Sequence, residues 1–230
     1  MPAGTAPALA LFDIDGTLIR RAGPHHREAL VEAIRRVMGL ETSTDGIPLY
    51  GMLDPDILSR MLARAGVRPR AIRAAMPEIV ESAQRVYLRT CPDLERKTCP
   101  GVRTVLRRLD REGVAIGLVT GNLERIGWKK MECAGLRQYF RFGAFGGMAP
   151  NRAGLVRLAI RRARAEGWIG RGTPVALIGD APADIEAAAA NGIPSIAVAT
   201  GVIPRAELEK YRPHALLEDL REFVPGMLGL

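Results

Sequence analysis

A chain of 230 residues, 47% of them apolar, is long enough to bury a large core in one domain plus an insertion, and no apolar run approaches the roughly 20 residues of a membrane helix. Its formal charge of +8 is spread over arginine pairs such as Arg35-Arg36, Arg107-Arg108 and Arg161-Arg162 with no aromatic-interleaved stripe, which points to solvated helix faces or a general attraction for anionic substrates and argues against nucleic acid as a partner. Cys91, Cys99 and Cys133 form no C-x-x-C pair, which argues against a zinc site and leads us to expect reduced thiols in a cytoplasmic protein.

The first predicted element is a strand ending at Phe12, an unbroken apolar run of the kind that parallel sheets bury on both faces. It runs straight into Asp13 with no basic region before it, so it reads as a core strand and not as a secretion signal. From residue 24 to 97 no strand follows. Three amphipathic helices are predicted there: one with Leu30, Val31, Ile34, Val37 and Met38 on a face, a second with Ile57, Leu58, Met61 and Leu62, and a third through Ile79, Val80, Val86 and Tyr87 with Pro77 in its first turn. Beyond them, apolar runs over 114–119, 140–145, 175–178 and 195–199 alternate with helical patterns such as Val102, Val105, Leu106 and Leu109, or Leu155, Leu158 and Ala159. The expected fold is therefore α/β, a Rossmann-like parallel sheet core over 1–20 and 99–230 with an inserted all-α unit over 21–98.

The chemistry-bearing residues cluster at predicted strand ends, where open α/β sheets bind their ligands. Asp13 and Asp15 follow the first strand, and residues two apart project the same way unless the chain turns, which Gly16 makes easy. Thr120-Gly121-Asn122 closes the second strand and opens a predicted helix, whose orphan amides would favour a phosphoryl oxygen, although Thr120 or Asn122 also suits a helix cap. Asp180 ends another strand and is a hard oxygen ligand of the kind Mg²⁺ prefers, and Asp184 lies one helical turn on, where an acid also suits a helix N-terminus. Hydrolysis of a phosphate monoester needs a nucleophile, a proton donor and concentrated positive charge, and this set of residues offers each. His25, His26 and His214 share no ligand spacing and are expected at the surface or at helix caps.

Asp13-Ile14-Asp15-Gly16-Thr17, Leu118-Val119-Thr120-Gly121-Asn122 and Leu177-Ile178-Gly179-Asp180 in this order resemble the motifs of the haloacid dehalogenase-like hydrolases, near the phosphoglycolate phosphatase branch, and Arg152 is the best candidate for that family's third, basic motif. The resemblance implies a phosphatase in which Asp13 forms an aspartyl phosphate. Asp15 would be general acid and then base, which requires its surroundings to raise its proton affinity. Thr120, Gly121, Asn122 and Arg152 would hold the phosphoryl group. Mg²⁺ would be bound by Asp13, by Asp180 and by the Asp15 carbonyl, with Asp184 acting through water or orienting its neighbours. It also implies that the helical insertion is a mobile cap and that the substrate is a small phosphorylated metabolite of phosphoglycolate or sugar phosphate type; the expected assembly is a monomer or homodimer.

Departures bear on the substrate. Leu18-Ile19-Arg20-Arg21 replaces the acidic and hydroxyl residues common after the first motif, and Gly51-Met52-Leu53-Asp54 puts leucine where relatives carry threonine, with Asp54 also suited to cap the helix that Pro55 begins. The 146–150 loop, Gly146-Gly147-Met148-Ala149-Pro150, is apolar. The alternatives are a sugar-phosphate mutase, a dehalogenase of the same fold, against which Asp15 argues, and a catalytically weak protein that senses a phosphorylated ligand.

Overall fold

The computed structural model describes residues 5–20 and 22–229; Arg21, at the first expected domain crossing, and residues 1–4 and 230 lie outside the described residues. In chain order the elements are β1 (Leu9–Phe12), the helices α1 (His25–Met38), α2 (Asp54–Arg64) and α3 (Pro69–Thr90), then α4 (Val102–Arg111), β2 (Ala115–Val119), α5 (Glu124–Cys133) and β3 (Phe142–Ala144). The remainder comprises α6 (Arg152–Ala165), β4 (Val175–Gly179), α7 (Pro182–Ala189), β5 (Ser195–Val198), α8 (Arg205–Lys210) and β6 (Ala215–Leu217).

The strands form one parallel sheet in the order β3-β2-β1-β4-β5-β6. β1 is central, with Leu9 opposite Ala115 on one flank and Val175 on the other. Because strand side chains alternate, Ala10 and Phe12 pack with Val105 and Leu109 of α4, while Leu9 and Leu11 pack with Leu155 and Ala159 of α6. All four β1 side chains are fully buried. Each large one contributes about 1.5–3 kcal/mol by burial, so a register slip that moved Asp13 would be strongly disfavoured. The chain leaves β1 toward β2 and returns to β4 on the opposite flank, so the residues just past β1 and β4 face the crevice where the strand order reverses.

Two expectations are corrected. A sixth strand, β6, lies at the sheet edge, where Ala215 and Leu216 are only half-buried and give no alternating signal. Pro77 does not open a helix: α3 starts at Pro69 and continues through Pro77, because the apolar stripe Ile72, Ile79, Ala83 and Tyr87 runs on past it and the exposed Pro77 costs the helix only the one donor that the Arg73 carbonyl would have used.

α1, α2 and α3 bury a cluster of their own, with Leu30, Ile34, Leu58, Leu62 and Ile79 at its centre, and this cluster takes in Leu123 and Ile126 next to and within α5. The helices therefore rest on α5, and the Asp54 amide donates to the Gly121 carbonyl at 2.9 Å just beyond β2.

Candidate active site

β1 ends at Asp13, whose amide continues the sheet by donating to Ile178 O at 2.9 Å and whose side chain is buried. β4 ends at Asp180, whose carboxylate lies in a cradle that only glycine permits. A Cβ on Gly16 would stand 2.0 Å from Asp180 Oδ2, one on Gly201 would stand closer still, and Gly16 has a φ of 87° besides. Thr17 Oγ1 donates to Asp180 Oδ1 at 3.3 Å. Asp184, in the first turn of α7, accepts from the Ala181 amide at 3.2 Å and so tightens the start of that helix.

Arg152 is the first residue of α6, which Asn151 caps by accepting from the Gly154 amide at 2.8 Å. Its buried guanidinium bridges the cluster, with Nη2 2.8 Å from Asp13 Oδ1 and Nε 2.6 Å from Asp184 Oδ1. Carboxylate oxygens of Asp13, Asp180 and Asp184 lie within 4.8 Å of one another, so three acids share one cation. Burial and the neighbouring charges of Asp13 and Asp184 push the Asp180 carboxyl well above its usual range. Burial lifts Asp184 to about 6 despite Arg152. An all-oxygen set with surplus negative charge inside a cradle that excludes any Cβ fits a hard divalent cation such as Mg²⁺.

The other wall of the site is a chain of side chains that begins at Thr120, just past β2. Thr120 Oγ1 accepts from Asn122 Nδ2 at 2.7 Å, which leaves its proton for another acceptor. Asn122 Nδ2 also donates to Asp15 Oδ2 at 2.7 Å. Lys130, fully buried on α5, donates from Nζ to both Asp15 oxygens at 2.7 and 2.6 Å and to Asn122 Oδ1 at 2.6 Å, and it lies 3.2 Å from His26 Nδ1. His26 Nε2 in turn lies 2.9 Å from Asp54 Oδ2, so the ring bridges Lys130 to Asp54. The same Asp54 oxygen accepts from the Leu123 amide at 2.8 Å.

Four expectations change here. Burial raises Asp15, but the charges of Lys130 and His26 and the hydrogen bonds from Lys130 and Asn122 outweigh it, so its proton affinity is lowered and not raised. His26 is neither a surface residue nor a cap: its ring lies edge-on to Tyr87 at 5.7 Å and bridges Asp54 to Lys130. Asp54 is the first residue of α2 and makes no cap there, because its carboxylate reaches across to Leu123. Gly121 and Asn122 precede α5, and neither Thr120 nor Asn122 caps that helix. Its free amides at Leu123 and Arg125 are taken by Asp54 and by Gln84 Oε1 at 3.0 Å, both from the helical insertion.

Lys130 was not found by sequence reasoning. The available signal was its position, one turn after Ile126 on the buried stripe of α5, where a lysine persists only with partners. Asp13, Asp15, Thr120, Gly121, Asn122, Arg152 and Asp180 all line one cavity of about 170 Å³, with Asp184 behind Arg152. The helical insertion closes the cavity with His26, Arg27, Leu49, Tyr50, Met52 and Ile57.

A family model described as haloacid dehalogenase-like hydrolase matches residues 7–192. Among curated relatives, the phosphoglycolate phosphatase of Pseudomonas savastanoi pv. phaseolicola is 27% identical over 99% of this chain and 82% of its own length. That of Pseudomonas syringae pv. syringae is 26% identical with the same coverage. Two solved structures show the same fold. CbbY from Rhodobacter sphaeroides, in complex with phosphate, superposes with a TM-score of 0.72 at 20% identity, covering 96% of this chain and 99% of that one. The β-phosphoglucomutase of Clostridium difficile gives 0.69 at 18% identity, covering 98% and 96%.

Proposed function

This chain belongs to the haloacid dehalogenase-like hydrolases, and we propose that it is a Mg²⁺-dependent phosphatase that hydrolyses a small phosphomonoester through a phosphoryl group carried on Asp13. The observation that carries this reading is the meeting of Asp13, Asp15, Thr120, Arg152, Asp180 and Asp184, from the ends of three strands and two helix starts, around one small cavity. Mg²⁺ would be held by Asp13, Asp180 and the Asp15 carbonyl, with Asp184 behind them, and when bound it supplies positive charge to the phosphoryl oxygens.

In this reading Arg152 holds the Asp13 carboxylate in place for attack on phosphorus, and the bond between phosphorus and the leaving oxygen breaks as the bond to Asp13 forms. Thr120 donates its hydroxyl proton to a phosphoryl oxygen, and the Gly121 and Asn122 amides lie beside it. Asp15 gives a proton to the leaving oxygen, then takes one from the water that attacks the acyl phosphate, which frees Asp13 and inorganic phosphate. The resting Asp15 is held ionised by Lys130. A dianionic phosphoryl group entering the cavity competes for the Lys130 charge, and this raises the proton affinity of Asp15 so that it takes up a solvent proton, the one it then gives to the leaving oxygen.

The substrate we assign is a phosphorylated metabolite of the phosphoglycolate or sugar phosphate type, in keeping with what the curated relatives are named for and with a cavity of about 170 Å³. Residues 21–98 would be a cap on a core of 1–20 and 99–230, moving over the site to exclude water. A cytoplasmic enzyme, monomeric or homodimeric, completes the proposal. It is tested by hydrolysis of p-nitrophenyl phosphate with Mg²⁺ or EDTA: turnover should need both the cation and Asp13, and turnover by Asp13→Asn in EDTA would refute it.

A further inference from the structure

The amino ends of β4 and β5, on the far side of the sheet from Asp13, border a groove of about 710 Å³, several times the volume of the active-site cavity. One rim is Arg157, Arg161 and Arg164 of α6, and the floor is apolar, with Val175, Ile193, Pro194 and Leu228. The three arginines are exposed, and none has a carboxylate within ion-pair distance among the described residues. Several exposed arginines elsewhere are paired: Glu32 holds Arg35 and Arg36 on α1, Glu112 holds Arg108 beside α4, and Glu81 holds Arg125 between α3 and α5. α6 contains five arginines and no acidic residue. Of those five, Arg152 alone turns to the catalytic end, where Asp13 and Asp184 take its charge.

Residues at i, i+4 and i+7 share one helix face, and at about 1.5 Å per residue the three guanidinium groups are strung along roughly 10 Å of axis. Like charges placed this way repel, so the row gains most from an anion that touches all three members. The opposite wall adds Thr173, whose hydroxyl accepts from the Gly170 amide at 2.9 Å and keeps its own proton to donate. A single phosphate is too short to span the row, whereas a chain of three linked phosphates matches its length and offers oxygens for bidentate guanidinium contacts.

We infer that this groove is a second ligand site, separate from the catalytic cavity, that binds an elongated polyphosphate anion through Arg157, Arg161 and Arg164. The ligand is either a free polyphosphate or the phosphate tail of a nucleoside triphosphate whose base lies on the apolar floor.

Isothermal titration of the full chain with inorganic tripolyphosphate, in EDTA so that no turnover occurs, tests the site. Saturable one-to-one binding is expected, weakened about tenfold or more in Arg157→Ala/Arg161→Ala. Both substitutions are at exposed positions, and an unchanged thermal melt without ligand shows that the variant folds. Absence of binding to the parent protein, or equal binding to parent and variant, overturns the inference. ATP in place of tripolyphosphate separates the sources: similar affinity assigns the free chain, and tighter ATP binding that Arg157→Ala/Arg161→Ala also weakens assigns the nucleotide. An oligonucleotide that outcompetes tripolyphosphate for the parent protein overturns the inference in favour of nucleic acid.

Discussion

The two walls of the catalytic cavity carry opposite electrostatic problems. On the β4 side, Asp13, Asp180 and Asp184 crowd around one guanidinium and remain over-charged, to the point that Asp180 and Asp184 hold their protons more tightly than usual. On the β2 side, Asp15 and Asp54 face Lys130 and His26 in a closed chain of hydrogen bonds, and Asp15 holds its proton less tightly than usual. The first wall lacks a cation and the second already has one. Within one crevice, acids of the same type are thereby set to different tasks by their neighbours alone.

If the crowded wall is where the chemistry starts, Asp13→Asn should produce the largest loss, on the order of 10⁴-fold in kcat/KM toward p-nitrophenyl phosphate, with the fold intact by circular dichroism. A residual rate within tenfold of the parent would move the nucleophile elsewhere.

Next in size is the response of the over-charged wall to its missing cation. In EDTA, Asp180→Asn should melt at a higher temperature than the parent, because one of three mutually repelling carboxylates has lost its charge, while Mg²⁺ should stabilise the parent and no longer the variant. The pH dependence has a definite sign. Asp184 has a folded-state value of about 6 against 3.8 when free, so the folded state binds more protons across that window. Stability in EDTA should therefore be greatest at the acid end and fall by on the order of 1–3 kcal/mol as pH rises from about 4 to 6, and saturating Mg²⁺ should flatten that fall. A melting temperature that rises with pH over this range, in EDTA, would contradict the assignment.

The balanced wall predicts a smaller kinetic effect. Lys130→Met keeps the buried stem and removes the charge, so Asp15 loses its principal counter-ion and should take up protons more readily. kcat should fall about 10²-fold, and the alkaline limb of the pH–rate profile, along which Asp15 loses the proton it must donate, should move to higher pH. An unchanged profile would mean that Lys130 merely fills space.

The crowded wall was legible in the sequence, whereas the balanced wall showed its Asp15, Thr120 and Asn122 but not the Lys130–His26 link that joins them to Asp54, for a physical reason. Asp13 and Asp180 each end an apolar strand, and a parallel sheet aligns strand ends whatever the chain between them does, so local pattern alone brings them together. Arg152 needed only the start of a helix beside that sheet. Asp15, His26 and Lys130 meet across 104 and 115 residues through the packing of α1 on α3 and of α3 on α5, which no short motif encodes. His26 also follows a more exposed His25 in a helix that looks merely amphipathic, and Asp54 precedes Pro55 in a way that imitates a cap. β6 escaped because an edge strand of three residues, paired on one flank only and half-buried at Ala215 and Leu216, is too short to stand out as a strand pattern.

His26 is where the helical insertion touches this balance, and it carries the smallest predicted effect. His26→Phe keeps an aromatic ring against Tyr87 but removes both ring nitrogens, so Asp54 retains only the Leu123 amide and Lys130 retains Asp15 and Asn122. One hydrogen bond from each partner is lost, at about 1 kcal/mol of stability, and kcat should fall about threefold to tenfold with a comparable rise in KM. The ranking against Lys130→Met decides how the insertion acts. A loss as large as that of the lysine variant would mean that His26, and through it the seating of α1, sets the charge at Asp15. The smaller loss expected here would mean that Lys130 does so from the core, and that the insertion contributes the walls around the leaving group.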